Sequence, residues 1–177
     1  MDIEDKNNIA VVDVKTMKVT AHYDLGEKGD GPAGLGLDAK NHILFAMCHS
    51  QNCVVLNADD GKILATLPIG NGTDGGGFNP KTMEAFSSQR DGTLTIIKES
   101  SPTSFAVEQT VQTKQGCKTS SLDTKNNVIV LICTERAPQA VAAALPPTET
   151  NAPAGGQRGG RGGRGSPGNL DVLFVGR

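Results

Sequence analysis

The sequence predicts an all-β fold, a partial ring of β-propeller blades in which each blade is a four-stranded antiparallel meander. Three observations predict it. A tight turn recurs as DAKN at residues 38–41, NPKT at 79–82 and DTKN at 123–126, spaced by 41 residues (38 to 79) and then 44 (79 to 123). Each copy runs directly into an apolar strand: HILFA at 42–46, MEAFS at 83–87 and NVIVL at 127–131. A second turn recurs as DVKTMK at 13–18 and NADDGK at 57–62, and each copy leads into a strand that ends at glycine. A period of about 40–45 residues with four strands per unit is the signature of propeller blades. Burial explains the repeat. One such sheet exposes two apolar faces, and stacking sheets around an axis buries them while limiting open strand edges. A β-sandwich, the competing architecture, has no need of one turn at a fixed period.

Residues 52–90 hold one complete unit, and the rest of the chain follows from it. Residues 1–8 (MDIEDKNN) read as a frayed lead-in. Residues 8–25 form a hairpin that turns at Lys15 and Thr16. A glycine-rich link over 26–36 precedes the next blade, whose strands cover 33–67. Gly31, Gly34 and Gly36 imitate a phosphate loop, but no Lys-Ser/Thr pair follows and no helix is indicated, so the glycines are read as backbone spacers. The following blade covers 74–111, with a turn at Asp91-Gly92-Thr93 and a polar loop over 99–104. Residues 117–134 make the last clear hairpin.

Composition then shifts. Residues 135–168 are Ala/Pro-rich (QAVAAALPP at 139–147) and then Arg/Gly-rich (GGQRGGRGGRG at 155–165), which reads as a disordered insertion lacking apolar area to bury. Residues 169–176 resume as a closing strand. The strand count is therefore two, then two complete blades, then three, which is about three to four blades.

Composition also removes function classes. Seventeen Lys and Arg against nineteen Asp and Glu give a net charge of −2, which is no nucleic-acid footprint. Aromatic residues are 3% with no Trp, too few for stacking platforms. The acidic start is unlike a secretory leader, and no apolar run approaches the ~20 residues of a membrane-spanning helix. The four cysteines, Cys48, Cys53, Cys117 and Cys133, sit in a chain long and core-rich enough to fold without disulfides. Cys53 and Cys133 are read as small core residues.

The quoted strands resemble the YVTN-type, YncE-like β-propeller repeat family. The match rests on IAVVDV at 9–14, GPAGLGLD at 31–38, VVLNADDGK at 54–62, LPIG at 67–70, FSSQRDGTLTII at 86–97 and DVLFVG at 171–176. It covers roughly residues 8–135 and 169–177. The resemblance, WD40-like in architecture, implies a seven-bladed ring with a central channel and a bacterial protein that is periplasmic or secreted. It implies no fixed catalytic set. A seven-bladed ring needs about 300 residues, so 177 residues correspond to roughly its C-terminal half. The expectation is that blades upstream, or self-association with another copy, cover the open sheet faces.

The site candidates follow from the repeat. The links at 29–34, 70–77 and 114–118 correspond, and each leads into the innermost strand beside the channel. Asp74 and Lys118 occupy equivalent places in successive blades, with Ala33 at the earlier one. Opposite charges there suit a polar ligand. His49, Gln89 and Arg90 complete the channel-mouth candidates. Cys48, His49 and Cys53 have soft-metal chemistry, but adjacent strand residues face opposite ways and no fourth ligand is evident, so no metal is expected. Arg158, Arg161 and Arg164 form an RGG-like tract that carries a weak RNA-binding reading. No cofactor fingerprint and no Ser-His-Asp set with a nucleophile elbow is present. The expected function is a non-catalytic binding or interaction module for an unknown small ligand or protein at the propeller rim. The alternative is a propeller hydrolase of the lactonase type with a metal at the channel mouth, for which Asp74 and His49 are the nearest ligands.

Overall fold

A computed structural model describes residues 1–134 and 170–176. They form four antiparallel sheets taken in chain order. The first contains β1 (Asp2–Ile3), β2 (Asn8–Asp13) and β3 (Lys18–Asp24), with a 3-10 turn at Glu4–Lys6. The second contains β4 (Pro32–Asp38), β5 (Ile43–Cys48), β6 (Asn52–Asn57) and β7 (Ile63–Pro68). The third contains β8 (Thr73–Asn79), β9 (Glu84–Gln89), β10 (Thr93–Ser101) and β11 (Ser104–Gln112). The fourth contains β12 (Cys117–Asp123), β13 (Val128–Thr134) and β14 (Leu170–Gly176).

Sequential strands are spatial neighbours within every sheet, as a meander requires. Three apolar clusters fill the three joints between successive sheets. A sheet packed on both sides buries the strand next to its innermost one, and all six residues of both β5 and β9 are buried. The outer strand β11 instead alternates half-buried and exposed over its first four residues.

The recurring turn works the same way each time. Asp38, Asn79 and Asp123 each accept the backbone N–H two residues on, from Lys40, Lys81 and Lys125, at 2.9, 3.1 and 2.9 Å. His42, Met83 and Asn127 then take left-handed φ of 55°, 55° and 59°, which reverses the chain into the next strand.

The inner strands meet backbone to backbone. A Cβ on Gly36 would lie 2.9 Å from the Gly77 carbonyl carbon, and one on Gly34 would lie 2.9 Å from the Gly76 nitrogen. Only glycine permits that approach.

Three sequence expectations need correction. The lead-in is not frayed: Asp2 pairs with Ile9 and Ile3 with Asn8, so the first sheet has three strands. Residues 99–104 are not a loop. Glu99 donates its N–H to Met83 O at 3.0 Å and pairs with Phe105, carrying β10 to Ser101 before a two-residue turn. Cys133 is not a free core thiol but is bonded to Cys117. The two are register partners across β12 and β13.

Candidate functional site

Each inner strand carries a β-bulge near its start. Register shifts fall between Pro32 and Gly34, Thr73 and Gly75, and Cys117 and Thr119. The extra residues are Ala33, Asp74 and Lys118, the three positions that the links place in register. A bulge bends its strand and re-aims the extra side chain. Here it brings two charges together: Lys118 Nζ lies 3.0 Å from Asp74 Oδ2, with each side chain 36% exposed. Thr119 Oγ1 donates to the same carboxylate oxygen at 3.3 Å. Below the pair, Ser88 Oγ donates to Lys118 O at 2.7 Å and lies within hydrogen-bond distance of Ser120 Oγ at 3.0 Å, tying the third sheet to the fourth. An ion pair this open contributes about 1 kcal/mol or less, so stability alone gives it little reason to exist.

His49 and Arg90 stand at the same end, one residue past β5 and β9 respectively. Their backbone N–H groups donate to Gly31 O at 2.8 Å and Gly72 O at 3.0 Å, and the left-handed glycines have φ of 64° and 74°. The His49 ring lies against Gly31, and its Nε2 is 3.3 Å from Glu4 Oε1. Arg90 is exposed, and its carbonyl accepts the Gly116 N–H at 2.9 Å. Asp91 closes the neighbouring turn by accepting the N–H groups of Asn71 at 2.6 Å and Thr93 at 3.0 Å. Burial alone would raise the Asp91 carboxyl, but the bonds from Thr93 and Asn71 outweigh it and hold it low.

Gln89 does not reach this surface. It is fully buried, and its Oε1 accepts from Thr93 Oγ1 at 3.0 Å and Thr95 Oγ1 at 3.3 Å. Cys48 and Cys53 point into different joints, Cys48 toward the first sheet and Cys53 toward the third. Both are free and buried. Burial, with Asp2 and Asp30 nearby, pushes the Cys48 thiol up to about 12, and burial raises Cys53 as well. Both are therefore poor thiolate sources. Among the described residues no three His, Cys, Asp or Glu side chains converge as a metal's ligand set. Arg158, Arg161 and Arg164 and the insertion reading of 135–168 lie outside the described residues.

A concavity of about 150 Å³ opens between the third and fourth sheets at the opposite end of the strands. Asn79, Thr82, Glu84 and Asn127 form its polar side, and Ile96 and Val175 are among its apolar walls.

With this geometry the chain is similar to two solved structures. It matches Kuenenia stuttgartiensis hydrazine synthase with a TM-score of 0.65 and 14% identity, over 73% of this chain and 37% of that one. It matches a chain of the Mitotic Checkpoint Complex with a TM-score of 0.61 and 13% identity, over 72% of this chain and 40% of that one. The fold is β-propeller-like. The chain spans well under half the length of either structure. No protein-family model matches it, and no curated protein does. No helix among the described residues is long and apolar enough to cross a membrane.

Two features of the propeller-like frame escaped the sequence reading. One is the Cys117–Cys133 bond. Counting back from the Asp123–Val128 pair sets Lys118 opposite Cys133, and only the bulge slips the register to Cys117. Recognising that Lys118 is a bulge residue would have found it. The other is a buried carboxyl pair, Asp38 and Glu99, which sequence distance conceals because it forms only when the second sheet packs on the third.

Proposed function

We propose that the chain is a non-catalytic binding and interaction module of a YVTN-type, YncE-like β-propeller, and that it holds its ligand at the end where the inner strands begin. The carrying observation is the bulge repeated in three successive inner strands, which turns Asp74 and Lys118 toward each other at a half-exposed surface. His49 and Arg90 flank that surface from equivalent turns. A ligand bearing both charge signs, such as a zwitterionic small molecule or a peptide segment, replaces the ion pair's two partners at once. Rigid strands fix the charges before the ligand arrives, which reduces the ordering cost of binding.

The hydrolase reading is not favoured, since the described residues give it no carboxylate and histidine set to build on. Periplasmic or secreted placement rests on the family resemblance alone. The outer sheets expose apolar side chains, Val19 at 54% in the first and Phe174 at 69% in the fourth, where further blades or a second copy would pack. A neighbour in a protein assembly, the Mitotic Checkpoint Complex, is in keeping with an interaction role.

The test is a thermal-shift screen of zwitterionic and singly charged small molecules and short peptides against wild type and the Asp74→Ala/Lys118→Ala variant. A ligand that stabilises wild type, and loses at least tenfold in affinity in the variant, supports the reading. Ligands that bind both proteins equally, or none that binds wild type, contradict it.

A further inference from the structure

The joint between the second and third sheets contains two acids that the blade repeat does not require. Asp38, at the end of β4, and Glu99, on β10, are each 2% exposed. One oxygen of each is satisfied: Asp38 Oδ1 accepts the Lys40 N–H at 2.9 Å, and Glu99 Oε1 accepts Asn41 Nδ2 at 2.7 Å. The other two, Asp38 Oδ2 and Glu99 Oε2, are buried without a partner. Asp38 is within hydrogen-bonding reach of Glu99. Ionised carboxylates have acceptors only, so these oxygens cannot satisfy each other unless one carries a proton.

The repeat shows what the positions hold elsewhere. Asn79 is the counterpart of Asp38; it accepts the N–H of Lys81 in the same way, and its amide donates to Asn127 Oδ1 at 2.9 Å. Ala58 is the counterpart of Glu99, because their N–H groups donate to His42 O and Met83 O, which stand 41 residues apart, as Ala58 and Glu99 do. An amide and an alanine therefore serve in sibling blades.

Among the described residues, few charges face the pair. From β4 it meets only Asp38 itself, and the Lys40 side chain in the following turn is exposed. From β11 it meets Phe105. On β9, Glu84 pairs in register with Lys98, and both lie on the opposite face of the third sheet from Glu99.

We propose that Asp38 and Glu99 share a single proton in an O–H···O bond that latches the second sheet to the third, and that the latch opens as pH rises. It lies at the far end of β4 from Asp74 and Lys118, so it is independent of the binding role. The sign is fixed by the environment. Burial raises the Glu99 carboxyl, the Asn41 bond partly offsets that, and the Asp38 charge raises it further. A folded-state value above the ordinary 4.5 gives stability that is fully present below 4.5 and is lost as pH rises through the raised value. A shared proton couples the two acids, so the loss follows the raised step.

The experiment compares thermal and urea unfolding of the full chain with Asp38→Asn and Glu99→Gln from pH 4 to pH 8. Asn repeats the sibling solution at Asn79, so the first variant keeps its turn. The expected result is a wild-type unfolding constant that rises relative to both variants, by up to about tenfold per pH unit between the ordinary 4.5 and the raised step, and levels off above that step. Carboxyl carbon NMR of wild type supplies a second readout, in which Asp38 and Glu99 titrate together with one step raised. Parallel stability curves, or separate ordinary titrations, overturn the proposal. So does a wild type that gains on its variants toward high pH, or one whose deficit calcium abolishes, since either means that a cation and not a proton joins the two acids.

Discussion

The joint between the second and third sheets and the joint between the third and fourth are built from the same repeat, yet they are held by different physics. In the first, Phe45 stacks on Phe78 with centroids 5.4 Å apart and meets Phe105 edge-on at 5.8 Å. Its inner strands touch glycine to glycine, and the bulge residue is the uncharged Ala33. In the second, Phe86 occupies the place of Phe45 with no ring contact among the described residues, beside Leu94, Ile96 and Leu131. That joint is tied by Ser88 to Lys118 O, by Asn79 to Asn127, and by Lys81 Nζ to Thr124 O. It also carries the Asp74–Lys118 pair and the 150 Å³ concavity. A blade repeat thus fixes where sheets meet but leaves open what they meet with. The first joint gains most of its cohesion from apolar contact, with its acids Asp38 and Glu99 buried at one end, and the second carries its charges at the surface.

Substituting the two equivalent phenylalanines breaks the comparison most directly. Phe45→Ala should destabilise by about 4–5 kcal/mol in urea unfolding, since it loses burial and two ring contacts. Phe86→Ala should cost less, about 3 kcal/mol. Equal costs would mean that the joints are not distinct. Next in size is the Cys117–Cys133 bond, which closes a loop with a sequence separation of 16. Reduction should lower stability by about 3 kcal/mol. Hydrogen exchange should show the loss first in β12 and β13, with the second sheet still protected. Gly36→Val places a Cβ and two methyl groups against the Gly77 carbonyl and should cost about 1–3 kcal/mol. Asp74→Ala should change stability by about 1 kcal/mol or less, with the effect fading in high salt, since the pair is open to water. A loss several times larger would make the pair a structural tie and remove it as a binding surface.

The contrast between the joints also marks how far the sequence could be read. Strand order was legible because the turn at Asp38, Asn79 and Asp123 repeats a side-chain cap whose chemistry is local. The bulge residues were legible as equivalents for the same reason. What lies across a joint was not. Gln89 read as a surface residue, yet it is buried together with its neighbours Ser87 and Ser88. Ser87 Oγ, Ser88 Oγ and Gln89 Oε1 are met by Thr73, Lys118 and Thr93 respectively, which belong to other strands. The placement of Gln89 at the channel mouth failed for this reason, since a polar residue beside a turn looks exposed until its partners are known. Asp38 and Glu99, 61 positions apart, gave no local signal at all. The strand at Asp2–Ile3 was missed because two paired residues carry no periodicity.

The central claim is that successive sheets stack through their inner strands, which sets Asp74 and Lys118 side by side. Nuclear Overhauser spectroscopy of the Gly36 and Gly77 α-protons tests it most directly. The account predicts a strong cross-peak between these protons, together with the within-sheet contacts of Gly36 to Phe45 and Gly77 to Phe86. Intact within-sheet contacts without the Gly36–Gly77 peak would show correctly formed hairpins assembled in some other way, and would contradict it.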